Sequence, residues 1–167
     1  IIKGGAFVLT FGGLVMILGL NYFKPNFFYP KSLKHQLRIL EQQDIPYQYL
    51  EDSTASVLAY MSKDRQRHDL IIDGVGITNL LTETKLMAHL PLLIHPDAKR
   101  LLAICFGMGT TFRSALTYNI KVDAVELVPS VPKMFSMFFS DGQKVLDNSN
   151  GKIIINDGRN FVFLTKE

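Results

Sequence analysis

A chain of 167 residues, 47% apolar and 20% charged, is long enough to bury the core of one domain with an appendage, and too apolar to stay disordered. Its formal charge of +3 contains no run of five like charges, which leaves no footprint for a nucleic-acid partner. A single cysteine, Cys105, excludes an internal disulfide and a cysteine-based zinc site; lying in an apolar run, it is expected as a buried small hydrophobe.

Residues 4–23 carry no charge and are rich in Leu, Val, Ile and Phe. As a helix they would span about 30 Å, the thickness of a hydrocarbon core. The glycines in the stretch, Gly12-Gly13 among them, weaken a soluble helix but suit close packing between membrane helices. Tyr22 and Phe23 fall where an interfacial belt belongs, and the Lys24, Lys31, Lys34 and Arg38 that follow put that side in the cytoplasm. A secretory signal needs a shorter apolar core and a small-residue cleavage site, whereas Phe23-Lys24-Pro25 follows here. Residues 1–23 are therefore expected to be a transmembrane helix, the end of a membrane domain.

Residues 24–45 read as a linker and a short helix, with Leu33, Leu37 and Leu40 on one face of residues 31–43. Residues 46–81 read as a small β-unit, with strands at 46–49, 53–60 and 69–72, the last closed by a turn at Asp73-Gly74. From there the rhythm is regular. A helix over 82–93, with Thr82 as its cap, precedes strands at 100–105, 121–127 and 152–155. Helices over 110–118 and 129–139, and one from 160 onward, alternate with them. Such alternation implies an α/β, Rossmann-like domain over 82–167 built on a parallel sheet.

Three features fall at the mouths of the three strands, where open α/β sheets bind their ligands. The first is Phe106-Gly107-Met108-Gly109-Thr110-Thr111, whose glycines let the backbone turn tightly and approach a ligand at the start of a helix. No Gly-Lys-Ser/Thr follows, so it is not a Walker loop. The second is Glu126, 17 residues after Gly109, at the spacing where an acid accepts hydrogen bonds from ribose hydroxyls. The third is Asn156-Asp157-Gly158-Arg159, in which Asp157 is placed to accept from an adenine amino group while Gly158 allows the turn.

These residues, with Leu70-Ile71-Ile72, Asp73-Gly74, Met87-Ala88-His89-Leu90-Pro91-Leu92 and His95-Pro96 before them and Asn160-Phe161 after, resemble the spermidine synthase (polyamine aminopropyltransferase) family. The likeness is greatest to bacterial members fused to membrane domains. It implies the parallel sheet of S-adenosylmethionine-dependent methyltransferases, truncated here, with the C-terminal part and its catalytic acid beyond Glu167. Gly107, Met108 and Gly109 would line the adenosyl ligand, Glu126 would hold the ribose, and Asp157 with Gly158 would sit by the adenine. A decarboxylated S-adenosylmethionine would give its aminopropyl group to a polyamine acceptor, with no metal and no nucleic acid involved.

Met108 stands where the family has an Asp that contacts the donor. Glu83 and Thr84 stand where it has a Tyr-Gln pair that helps bind polyamine, which makes them candidate substrate-binding residues. Ile77 and Thr78 replace its Gln after the Asp-Gly turn. Two alternatives therefore stay open: a methyltransferase of the same fold using intact S-adenosylmethionine, and a non-catalytic adenosyl-binding sensor coupled to a membrane partner. The expected setting is the cell inner membrane, with the catalytic domain cytoplasmic and a homodimer as the assembly. His89 and His95 have no acid or Cys at ligand spacing and are expected to be structural, as is the apolar stripe of Met134, Phe135, Met137, Phe138 and Phe139. His35 and His68 lie in polar surface stretches.

Overall fold

A computed structural model of the protein describes residues 31–62 and 68–165. The transmembrane helix expected over residues 1–23 lies outside the described residues, and among those described no helix is long and apolar enough to cross a membrane.

Helix α1 (Lys31–Gln42) forms because its leucines recur at helical spacing; Asp44, at φ 53°, ends it, and the Ile45 amide closes back on the Leu40 carbonyl at 2.9 Å. Strands β1 (Tyr47–Glu51), β2 (Ser56–Met61), β3 (His68–Ile72) and β4 (Val75–Asn79) follow as an antiparallel sheet in that order. Side chains alternate across it. Leu58 and Ile71 face Leu33, Leu37 and Leu40 of α1, while Val57, Ala59 and Leu70 join the main core on the other side.

Strand β4 is absent from the sequence reading, which names no strand after the Asp73-Gly74 turn although it carries the unit on to residue 81. Asp73 (φ 49°) and Gly74 (φ 77°) form a two-residue hairpin that pairs Ile72 with Val75. Asp-Gly is the local signal for that turn, and a returning strand is what it predicts. Gly76 and the exposed Val75 and Ile77 hid the alternation.

The second half begins with α2 (Thr82–Ile94). Thr82 does not cap it: the N-cap is Leu81, which makes no side-chain cap, and the Thr84 hydroxyl donates to the Leu81 carbonyl at 2.6 Å instead. Strands β5 (Arg100–Ile104), β6 (Lys121–Glu126) and β7 (Gly151–Ile155) run parallel in the order β5-β6-β7, with α3 (Thr110–Leu116) between the first two. The fold is thus α/β with a parallel sheet, as the alternation implied.

The single helix expected over 129–139 is broken. Pro132 opens a 3₁₀ turn (Pro132–Met134), α4 is confined to Phe135–Phe138, and a further helix, α5 (Gly142–Leu146), precedes β7. Proline removes an amide and so favours the first turn of a helix over its interior. Helix α6 (Gly158–Leu164) follows β7.

The core joins both sheets. Phe106, Phe112 and Phe135 meet with ring centroids 5.4–5.5 Å apart, over Val122, Ala124 and Met134. The stripe from Met134 to Phe139 is core, as expected: Met134, Phe135 and Phe138 are buried, and Met137 and Phe139 pack against them. His89 is structural, its Nδ1 lying 2.8 Å from the Tyr118 hydroxyl and linking α2 to the end of α3.

Two polar ties reach across elements. Arg113 of α3 grips Asp141 at 2.7–3.2 Å while lying 5.0 Å over the Phe139 ring, and the guanidinium holds the Asp141 carboxyl below its usual range. Asp52, in the β1–β2 turn, accepts from the Ser130 amide at 2.8 Å on Oδ2 and from the Thr54 and Ala55 amides on Oδ1. The Ser130 hydroxyl, first, and these amides hold its pKa down to about 2. The carboxylate form is favoured in the folded chain, so the tie is complete above about pH 4 and is lost only as pH falls towards 2.

Leu102 and Ile104 on one face of β5, and Val162, Phe163 and Leu164 on α6, are exposed, although parallel strands are normally covered on both faces.

Candidate functional site

The site is built by the loops leaving β5 and β6, and by the turn into α6. Glycine loop residues Phe106 to Gly109 form a turn closed by the Gly109 amide on the Phe106 carbonyl at 2.8 Å, and the Gly109 carbonyl then accepts the Arg113 amide to start α3. Gly107 (φ 54°) and Gly109 (φ 74°) both need the left-handed conformation that only glycine adopts freely. Their surroundings differ. A Cβ on Gly109 would lie 2.4–2.5 Å from the Phe135 ring, whereas one on Gly107 would meet nothing within 4 Å. Gly109 therefore serves packing, and Gly107 borders the open space that a ligand can enter.

Glu126 ends β6 and is buried at 6% exposure. Its Oε2 accepts the Phe106 amide at 2.9 Å and the Gly107 amide at 3.3 Å, while Oε1 accepts the Val128 amide at 2.9 Å. The carboxylate thus clasps the glycine loop to the loop after β6. A carboxylate offers about four acceptor positions, so Oε1 retains one for a hydroxyl. The clasp itself is not legible in the spacing, which shows only that an acid stands at the strand end.

Asp157 is the N-cap of α6, its Oδ1 accepting the Asn160 amide at 2.8 Å; the Asn156 side chain in turn accepts the Asp157 amide. Gly158 permits contact: a Cβ there would sit 2.5 Å from Ile104 Cγ2. With Arg159, Val162, Phe163 and Ile104 it borders an open, mainly apolar groove of about 650 Å³. The turn into α6 thus lies against the end of β5.

Met108 is 3% exposed and packs its side chain in the hydrophobic core, which leaves only its backbone to face the ligand side. One expectation is corrected here. Cys105 is not buried: it is exposed at the end of β5 with φ 71°, its amide bonded to the Val125 carbonyl at 2.8 Å. An apolar run cannot show which face of a parallel strand is covered, and here the strand ends one residue earlier than the run. A non-glycine residue in this conformation stores about 1–2 kcal/mol. Cys105→Gly is therefore expected to raise the unfolding free energy by about 1 kcal/mol, the remainder offset by the freer unfolded chain. Urea denaturation checks it, and a destabilised variant would show that the thiol makes contacts that matter.

Glu83 is exposed in the first turn of α2. The Thr84 carbonyl accepts the Thr111 hydroxyl at 2.9 Å, which brings the start of α2 beside the start of α3. Thr110 follows Gly109, and its buried hydroxyl has no hydrogen-bond partner among the described residues. Among those residues no group of three or more His, Cys, Asp or Glu is placed to hold a metal.

The spermine/spermidine synthase domain model matches residues 80–167, more than half of the chain and the part that holds these loops. A polyamine aminopropyltransferase of Caldicellulosiruptor saccharolyticus is 30% identical over 98 residues, covering 56% of this chain and 35% of that protein. One of Clostridium acetobutylicum is 31% identical over 81 residues, covering 47% and 28%. The chain thus spans about a third of the length of these curated relatives. Spermidine synthase from Thermotoga maritima shares the fold at a TM-score of 0.61 and 20% identity, over 71% of this chain and 42% of that one. A spermidine synthase solved with the transition-state analogue AdoDATO does so at 0.60 and 21%, over 69% and 42%. With the glycine loop, the clasping acid and the Asp-Gly turn all inside the matched region, the chain belongs to the spermine/spermidine synthase domain family.

Proposed function

We propose that this chain supplies the adenosyl-binding half of a spermidine synthase-like aminopropyltransferase. The observation that carries the reading is the Glu126 clasp, which fixes the glycine loop with Gly107 open to solvent and one carboxylate position still available. Glu126 would take a ribose hydroxyl there, Gly107 would let the backbone approach the donor, and Asp157 with Gly158 would flank the adenine. The donor would be decarboxylated S-adenosylmethionine. In the transfer, the neutral nitrogen of a polyamine attacks the aminopropyl carbon next to the sulfonium. A C–N bond forms, the C–S bond breaks, methylthioadenosine leaves, and the nitrogen sheds its proton to a base. That base would be an acidic side chain outside the three loops described here. Its work, and that of the loops described here, is positioning and proton acceptance.

Glu83 and Thr84 are our candidates on the acceptor side, supported by the Thr84–Thr111 bond that holds the start of α2 beside the start of α3. The small antiparallel sheet over 46–81 would be the β-unit that precedes the 82–167 domain, supported by the core it shares through Val57, Ala59 and Leu70. Attachment to the inner membrane through residues 1–23, with 24–45 as connection and the catalytic domain cytoplasmic, rests on the uncharged stretch at 4–23 and the lysines after it. A homodimer rests on the family resemblance alone.

A second reading is favoured by one observation. Met108, buried in the core, leaves the glycine loop without the acid that suits a decarboxylated donor, which fits a methyltransferase or a non-catalytic adenosyl sensor. Calorimetric titration of the full-length protein in detergent separates the readings. Tighter binding of decarboxylated than of intact S-adenosylmethionine is expected for aminopropyl transfer. The reverse order favours the second reading. No binding of either, or of methylthioadenosine, would leave the loop a purely structural turn.

A further inference from the structure

The β1–β2 turn lies far from the glycine loop in sequence, yet hydrogen bonds at either end of the short backbone stretch from Val128 to Ser130 join them. Asp52 Oδ2 accepts the amide of Ser130, which is itself buried at 2% exposure. Ser130 belongs to the short loop after β6, whose Val128 amide is held by Glu126 Oε1. The other oxygen of the same carboxylate holds Phe106 and Gly107. Val128 and Val131 are buried on either side of the Ser130 contact, so this loop has little freedom to absorb a displacement at one of its anchors.

We infer that Asp52 is a positioning residue for the glycine loop: through Ser130 it fixes the loop that follows Glu126, and Glu126 in turn fixes Phe106 and Gly107. The small antiparallel sheet thereby sets the geometry at the mouth of β5. The effect on ligand binding rests on the adenosyl reading above; the mechanical link does not.

Asp52→Asn separates the tie from the turn. Asn has one acceptor oxygen, enough for the Thr54 and Ala55 amides that both use Oδ1, and it presents an amino group where the Ser130 amide needs an acceptor. Hydrogen exchange on the full-length protein in detergent is expected to be roughly tenfold faster at Ser130, Val128, Phe106 and Gly107, the loss of one buried bond's protection. Leu58 and Leu70 amides in β2 and β3 should keep their rates. Methylthioadenosine, where the parent protein binds it, should bind several-fold more weakly.

Faster exchange at Ser130 with Phe106 and Gly107 unchanged would overturn the inference, because the tie would then end locally. Protection lost everywhere, in this variant and also in Asp52→Ser, would overturn it too, by making Asp52 a determinant of the whole fold. A parent protein that binds no adenosyl compound sinks the functional reading while the exchange rates still decide the role of Asp52.

Discussion

Gly109→Ala is expected to lower the unfolding free energy by about 3–4 kcal/mol, and Gly107→Ala by only about 1 kcal/mol while abolishing adenosyl-ligand binding. Both positions have positive φ, so each alanine carries the left-handed penalty of about 1–2 kcal/mol. At Gly109 the new methyl would also lie 2.4–2.5 Å from the Phe135 ring and 2.7 Å from Phe106 Cζ. Phe135 is fully buried and packs on Phe106 and Phe139, so it has no solvent to swing into. Overpacking of this kind adds about 1–3 kcal/mol. At Gly107 the methyl meets nothing within 4 Å and projects into the space left for ligand. Urea denaturation with calorimetric titration of methylthioadenosine reads both variants. Equal destabilisation would refute the division of labour between the two glycines, and retained binding by Gly107→Ala would mean that ligand does not approach the backbone there.

The contrast between the two glycines marks what the sequence can and cannot carry. The Gly-x-Gly pattern, the acid at the end of β6 and the Asp-Gly before α6 are local signals, and they fall at three strand ends as expected. What each residue touches is not local. Asp52 and Ser130 are 78 positions apart, and Arg113 and Asp141 are 28 apart, so no window along the chain exposes either tie. Periodicity also says that a side chain alternates, not which face is covered. That is why Cys105 came out exposed, and why the side chain of Met108, a residue placed by resemblance on the ligand side, packs inward. Where composition misled, the cause is specific: Pro132, ahead of the apolar stripe, opens the expected helix as a 3₁₀ turn before α4, and a glycine in β4 masks an edge strand.

Glu126→Gln tests the clasp most directly. The three amides it holds point at both oxygens of the carboxylate, two at Oε2 and one at Oε1. Gln has one oxygen and one amino group, so whichever way it turns, a donor confronts at least one buried amide. An orphaned buried donor costs about 1–3 kcal/mol, and the remaining bonds also lose their charge assistance. A loss of about 2–4 kcal/mol in the ligand-free protein is expected, with adenosyl affinity falling about 100-fold as the loop loosens. A residue that served only the ribose would leave the ligand-free stability unchanged, and that outcome would refute the clasp as a stabilising element. The ribose role has its own discriminator in 2′- and 3′-deoxy analogues of methylthioadenosine. If the free position on Oε1 accepts a ribose hydroxyl, removing that hydroxyl weakens binding to the parent protein and has little further effect in Glu126→Gln. Additive losses would mean that the hydroxyl is held elsewhere, and that Glu126 shapes the loop without touching the ligand.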